Sequence, residues 1–407
     1  MTSNSSPHHW SGDAATASTL RLWLLNHVCP FWAKRMIDPA GGFYEALDLA
    51  SEPLPSARRS ILNQARLTYV FSHAYILGKD PAMLSAASHG FSFLQRCFRE
   101  GEGWPHGIGV DGAAFAAGPE PDSDAKRDAY DHAFVLFACA WYYRATGDTD
   151  ALTLAHATYD FLQDRMADPA HGGFYEDISV QRASMTLPRR QNPHMHLLEA
   201  MQALHASTGD DIWRIRAGQL LDLFERHFFD ANSGSLAEYF DADWRIVDGA
   251  PGRLREPGHQ FEWVWLLHEA ARHSPQRNTA AYAEQLFSFG SRFGIDRQEP
   301  LAGMVFDGVE PDGKIVAASK LLWPQTEYIK ACLSRWEWLD DRAALDEALA
   351  HIERMRRYFF LPDQANWHNQ LSRDGQPLTD ATPARVLYHL FLAIAEAIRV
   401  LETKPAM

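Results

Sequence analysis

The sequence predicts an all-α chain closed into an (α/α)6 barrel, with six helical hairpins, or twelve helices, in one ring. Three observations predict it. Glycine-rich turn clusters recur about every 60 to 70 residues: GGFYE from Gly41, GEGWPHG from Gly101, GGFYED from Gly172, GSLAEYFD from Gly234, GMVFDG from Gly303 and WHNQLSRDG from Trp367. Self-similarity at a fixed period marks a repeat architecture. Two helix-period apolar patterns separate each cluster from the next, and no Pro-rich linker divides the chain.

The leading helix of each hairpin is expected near 18–36, 80–98, 148–167, 210–229, 278–294 and 341–360. The following helix is expected near 60–78, 128–146, 190–208, 257–273, 322–339 and 383–401. Leu390, Ile394 and Ile398 show the three- and four-residue apolar step of a helix. Pro257 and Pro383 stand at expected helix starts, where a missing N–H costs nothing. Gly, aromatic and acidic residues in the clusters read as short β-hairpins in the loops at one mouth. A linear α-solenoid competes, but its repeats are usually shorter than about 50 residues, which favours closure. Residues 1–17 read as a polar N-terminal segment and 18–402 as a single catalytic barrel. The second helix of each pair should line the inside, because its polar residues alternate with Trp, Tyr and His. A pocket is expected where the long loops gather.

Charge narrows the partners. The 38 Lys+Arg are outnumbered by 52 Asp+Glu, for a net charge of −14, and no basic block occurs. That argues against nucleic acid or an anionic membrane and for a small uncharged ligand. No apolar run approaches the roughly 20 residues of a membrane span, and MTSNSSPHHWSGD lacks the features of a secretory signal. Cys29, Cys97, Cys139 and Cys332 are far apart with no CxxC, as expected for reduced thiols in a cytoplasmic protein. With no GxGxxG, P-loop or GxSxG, nucleotide cofactors and serine hydrolysis have no support.

The candidate site residues cluster at the starts of the expected inner helices. In REPGHQFEWVWLL, His259 and Glu262 fall at i and i+3 of one helix face, an imidazole that titrates near neutrality beside a carboxylate that can fix its tautomer. That pair suits proton transfer; a buried capping pair is the alternative. In QNPHMHLLEA, HxH puts its two rings about 200° apart and cannot chelate one ion, whereas Asn192, His196 and Glu199 share a face suited to sugar hydroxyls. His194 then faces elsewhere and is structural. In TPARVLYHLF, His389 has Arg385 one turn earlier on its face, which favours a polar lumen over a dry core. Arg66 sits with Tyr69 among apolar neighbours, where an unpaired arginine is costly. Trp323, in LLWPQTEYIKA with Gln325 and Glu327, can stack on a sugar ring or pack the core. In DAYDHAF, Asp131 reads equally as a helix cap. A lumen rich in histidine rather than facing acids favours moving protons over cleaving glycosides.

These motifs resemble the N-acylglucosamine 2-epimerase superfamily of sugar epimerases and aldose–ketose isomerases. EPGHQFEWVWLL carries the resemblance most specifically, with NPHMHLLEA, WPQTE and the terminal YH in support. The resemblance implies an (α/α)6 barrel, chemistry without metal or nucleotide, and catalysis by two histidines across the lumen, matching His259 and His389. It also implies substrate binding by Arg66, Asn192 and His196, with Glu262 as the family's glutamate; Arg385 has no assigned counterpart. Among the subgroups, N(x)₂MHLLEA looks closest to the bacterial mannose isomerases. The expected reaction is mannose–fructose interconversion (lyxose–xylulose included) through a cis-enediol(ate). Sugar 2-epimerisation and a sulfoquinovose isomerase stand as alternatives, although no extra Lys/Arg cluster is evident at the mouth. A glycoside hydrolase on the same barrel and a non-catalytic sugar-binding protein are the rivals from other classes. The sequence leaves the oligomeric state open, a homo-oligomer included.

Overall fold

A computed structural model of the chain describes residues 14–113, 115, 124–178, 187–362 and 365–404. Residues 1–13 of the expected N-terminal segment lie outside them, and helix already begins at Ala14. Six inner helices, first to sixth, span Ile61–Gly78, Ala129–Thr146, Asn192–Thr208, Pro257–His273, Leu322–Leu339 and Leu387–Thr403. Each packs on the next, and the sixth returns to the first, closing the ring. The outer layer is Pro81–Cys97, Thr149–Phe161, Asp211–Leu223, Thr279–Phe293 and Arg342–Phe359. Ala14–Trp23 and Cys29–Met36, joined by a π-turn at Leu24–Val28, complete it.

Patterning decides which helices go inside. The first inner helix is buried without interruption from Ile61 to Ala74. A helix with no polar stripe needs neighbours on every side, which only the inner ring supplies. The last outer helix instead buries one stripe, Leu345, Leu349, Ile352, Met355 and Phe359, and exposes Arg342, Asp346 and Arg357. The joints between hairpins are tight. Gly147 and Gly209 end inner helices in the left-handed region at φ 75° and 71°, and Asp148 and Asp210 follow at once as N-caps of the outer helices.

The strands depart from the sequence expectation. Two hairpins do form within single loops, Phe229–Asp230 with Ser235–Leu236 and Gly308–Val309 with Ile315–Ala317. The other pairings join neighbouring loops. Arg58–Ser60 pairs with Gly107–Gly109, Arg127–Asp128 with Asp177–Ile178, Arg189–Arg190 with Tyr239–Phe240, and Lys320–Leu321 with Gln370–Leu371. A bridge joins Arg255 to Val309, and Ala46–Asp48 with Ala381–Pro383 links the first loop to the last. Each segment that leads into an inner helix thus finds its hydrogen bonds in the next repeat's loop. A two-stranded ribbon is marginal alone, but six junctions in a circle leave no end to fray. Pro383 belongs to this belt rather than starting the last helix, which begins at Leu387 after a 3₁₀ turn at Ala384–Val386.

A repeated clamp ties each turn cluster to its inner helix. Backbone N–H groups of Phe43, Leu236 and Val305 donate to the side-chain carbonyls of Gln64, Gln260 and Gln325, whose amides return a bond to the same residues' carbonyls. His132 and His194 do the accepting from Trp104 and Phe174 in the second and third repeats. His194 is therefore structural, as its helix face indicates. Buried ion pairs repeat beneath the belt: Arg59–Asp38, Arg189–Asp168 at 2.8 Å, Arg255–Asp230 at 2.9 Å and Lys320–Asp296 at 3.1 Å. All four cysteines are free and buried. Among the described residues, no helix is long and apolar enough to cross a membrane.

Replacing Gln260 by leucine keeps the side-chain volume and strands the N–H and C=O of Leu236 in the interior. Leaving buried polar groups unpaired costs about 1–3 kcal/mol each, so urea denaturation should show a loss of about 2 kcal/mol or more; an unchanged midpoint would refute the clamp.

Candidate active site

The belt surrounds a cavity of about 540 Å³ at the N-terminal ends of the inner helices. Arg66, Asn192, His196, His259, Glu262, Trp323, Arg385 and His389 all line it, although they come from five different helices or their leading turns. Glu199 lies one turn deeper, behind His196. A cleft of about 640 Å³ between outer helices carries none of the predicted site residues, and a cavity of about 330 Å³ at the far end of the lumen carries Glu199 alone of them.

Trp323 stands between the two principal histidines, its ring centroid 4.9 Å from that of His259 and 5.7 Å from that of His389. Gly258 permits this: a Cβ there would come within 2.5 Å of the Trp323 ring. Each histidine gives its Nδ1 to a buried carboxylate. His259 pairs with Glu238 at 2.9 Å, His389 with Glu327 at 2.8 Å, and His196 with Glu199 at 3.0 Å. An acceptor-only carboxylate fixes Nδ1 as the protonated nitrogen and leaves Nε2 for the cavity.

Here the structure corrects the sequence reading of Glu262. It does not orient His259, because the Nδ1 edge of that ring faces the incoming fourth loop, where Glu238 waits. Both Glu262 oxygens are buried and accept no hydrogen bond. Burial and then the nearby Glu327 charge raise its pKa well above the usual carboxylate range, so it stands as a neutral acid facing the lumen. The histidines are driven apart in the same way. Burial opposes a charge on His259, but Glu238 and Glu256 outweigh it and hold the pKa at about 10. Burial, reinforced by Arg66 and Lys330, pushes His389 well below 6.5. His196 is lowered to about 4, chiefly by burial. At neutral pH the cavity therefore holds an imidazolium at His259 and a neutral imidazole at His389, the opposed pair that acid–base chemistry requires.

Arg66 supplies a third element. Its Nη2 donates to Tyr130 Oη at 2.7 Å and its Nη1 to the Arg385 carbonyl at 3.3 Å, while its guanidinium lies over Phe134 and Tyr388. Among the described residues no carboxylate pairs with it. A buried cation without a counter-ion favours negative charge that develops beside it. Arg385 sits in the 3₁₀ turn before the last helix, exposed at the rim of the same cavity. Asn192 lines the wall with its Oδ1 unpartnered.

Lys126 and Arg190 also line the mouth, which corrects the expectation of no further cations there. Both are spent on neighbours: Lys126 on Asp128 and Asp177, Arg190 on Glu176. His106 bonds Asp131 at 2.7 Å, so Asp131 orients a ring at the rim; the helix cap is Asp128. Among the described residues, three groups bring ligand atoms of a histidine and carboxylates within 4.8 Å of one another: His196–Glu199–Glu262, Glu238–Glu256–His259 and Glu262–Glu327–His389. In each, the histidine's Nδ1 is already bonded to a carboxylate, which leaves Nε2 as its free ring nitrogen.

Sequence reasoning missed Glu238 and gave Glu327 no role. The repeat itself held the signal. Glu45, Glu176 and Glu238 occupy one position after their turns, and each reaches the start of the inner helix that follows, at Ser60, Arg190 and His259.

The N-acylglucosamine 2-epimerase (GlcNAc 2-epimerase) family matches residues 42–393. The chain belongs to that family. It is 32% identical over 393 residues to a mannose-6-phosphate isomerase of Rhizobium meliloti, covering 93% of this chain and 96% of that protein. It is 27% identical to a D-mannose isomerase of Pseudomonas cannabina pv. alisalensis, with 86% of each covered. A crystal structure of a D-mannose isomerase superposes with a TM-score of 0.85 at 22% identity, over 97% of this chain and all of that one, and has the same fold. The protein is an enzyme of the sugar isomerase and epimerase type.

Replacing Glu238 by glutamine removes the charge that most strongly raises the His259 pKa. Its NMR titration midpoint is expected to fall from about 10 toward the ordinary 6.5; an unmoved midpoint would show that Glu238 does not set it.

Proposed function

We propose that the protein interconverts D-mannose and D-fructose by moving a proton between C1 and C2 of the open-chain sugar. The observation that carries this reading is the opposed protonation of His259 and His389 on either side of Trp323. His259, a standing acid, donates to the ring oxygen while the C1 hydroxyl gives its own proton to the vacated Nε2, which opens the sugar to the C1 aldehyde and leaves His259 charged again, with Glu262 as a second donor. His389 Nε2 takes the proton from C2. As the C1 carbonyl gains electron density, its oxygen takes the His259 proton, giving a cis-enediol. Arg66 stabilises the developing oxyanion. His389 then returns its proton to C1, O2 gives its own to His259, which restores the acid, and C2 becomes the ketone of fructose. General acid–base catalysis of this kind contributes about 10²–10⁴ per group.

A neutral hexose suits the cavity better than a phosphorylated one. Lys126 and Arg190 are already paired, Arg66 is held among aromatic rings, and only Arg385 is exposed at the rim without an ion pair among the described residues. A phosphate dianion usually takes several such donors. Trp323 offers a face for the sugar ring, and Asn192 and His196 offer hydroxyl partners. The family's name carries the second reading: protonation of C2 by His259 from the opposite face would give glucose.

Proton NMR of the purified protein with D-mannose in D₂O, without added metal or nucleotide, should show fructose carrying deuterium at C1. His389→Ala should lower turnover by about 10²-fold or more with unchanged helicity, and mannose 6-phosphate should be the poorer substrate. Glucose as first product would move the reading to a 2-epimerase. No turnover of mannose, N-acetylmannosamine or cellobiose would sink it.

A further inference from the structure

The proton-transfer scheme leaves one fully buried charge unused. Lys330, on the fifth inner helix below the cavity floor, is wholly excluded from solvent, as is its partner Glu327 one turn earlier. Its Nζ lies 2.6 Å from Glu327 Oε2 and 4.4 Å from the centroid of the Trp265 ring. The other oxygen of Glu327, Oε1, accepts from His389 Nδ1 at 2.8 Å. The three side chains form a line, Lys330 to Glu327 to His389, that ends at the base. A buried ion pair is a poor way to gain stability, since desolvation takes back most of the attraction. Its retention directly behind a reactive histidine calls for a chemical reason.

We propose that Lys330 is a positioning residue for the base: it keeps Glu327 an anion, and that anion keeps the proton of His389 on Nδ1, leaving the Nε2 lone pair open to the sugar. The proposal rests on His389 being the base. Without the Lys330 charge, burial loses its strongest opponent at Glu327, leaving His196 and the Thr326 hydroxyl against it, and the carboxyl takes up a proton more readily. A protonated Glu327 donates to Nδ1 instead of accepting from it. The imidazole then carries its proton on Nε2, aimed at C2, and has no lone pair to offer there.

The groups that face this line are few, and their signs are consistent. Burial raises the pKa of Glu327 and Lys330 opposes it. Burial disfavours the Lys330 charge, but the Glu327 carboxylate and Glu199 of the third inner helix keep it protonated, with Glu262 of the fourth facing it as a neutral acid. His389 meets Arg66 of the first inner helix, Lys330 and His196, all of which disfavour its protonation, against Glu199, which favours it. Tyr69, Tyr130 and Tyr388 complete the surroundings, each with its pKa raised. Removing the Lys330 charge therefore has two readable consequences. Fewer molecules hold His389 in the working tautomer, and the Glu327–His389 pair, stripped of a neighbouring positive charge, takes up a proton more readily. Its pKa rises, so the acid limb of kcat moves to higher pH.

The test is a double-mutant cycle on mannose turnover with Lys330→Met, Glu327→Gln and the pair. Lys330 does not line the sugar cavity, so Lys330→Met should lower kcat by about 10²-fold, the scale of a lost general base, with KM within about threefold. Its acid limb should move upward in pH. Glutamine at 327 accepts from Nδ1 without needing a counter-ion, so the double variant should be no slower than Glu327→Gln alone. It also leaves no unpaired carboxylate, so it keeps the test available where Lys330→Met does not fold. Two multiplying losses, or a Lys330→Met enzyme with wild-type kcat and acid limb, would overturn the proposal. A wild-type enzyme that turns over no sugar would instead overturn the functional reading beneath it.

Discussion

A hydrogen bond from a histidine Nδ1 to a buried carboxylate recurs at His196, His259 and His389, and the site depends on it. It does three things at once. It satisfies a ring nitrogen that burial would otherwise leave costly, it fixes the tautomer, and it turns Nε2 toward the cavity. What differs between the three is the charge around the dyad. Two carboxylates gather at His259 and hold it charged against burial, whereas at His389 burial, reinforced by Arg66 and Lys330, keeps the ring neutral. One fold element, repeated, thus yields both an acid and a base.

The barrel makes such fine differences possible because it holds the dyads on rigid walls. Six helix starts converge on the mouth, and strand pairings between successive loops link them in a circle. Glutamine and histidine clamps then fasten each turn to its own helix. Side chains contributed by separate repeats can therefore be placed across the lumen without flexible segments between them. Arg66 shows the consequence: it is held by Tyr130 from the second inner helix and by a carbonyl from the turn before the sixth.

Most of this architecture is legible in the sequence because local pattern governs it. The helix ends at Pro257, His273, Leu322 and Leu339 fall where periodicity and caps put them. The residues facing the cavity were legible too, since position near an inner-helix start is a one-dimensional property. What could not be read was pairing over long sequence distances. Short strands at Arg189–Arg190 or Lys320–Leu321 carry no signal naming the adjacent loop as partner rather than their own. Glu262 looked like the orienting acid of His259 because it is near in sequence; Glu238, 21 residues away, takes that place because the fourth loop folds over the ring. Lys330 reads as an ordinary helical lysine until the closed ring shows it fully enclosed.

The central claim is that the two lumen histidines stand in opposite protonation states at neutral pH. Nitrogen-15 NMR of histidine-labelled protein, with His259→Gln and His389→Gln variants to assign the signals, measures this directly. The account predicts that at pH 8 His259 is an imidazolium that loses its proton only near pH 10, while His389 is neutral with an unprotonated Nε2. Two rings that titrate together near the ordinary histidine value of 6.5 would contradict it.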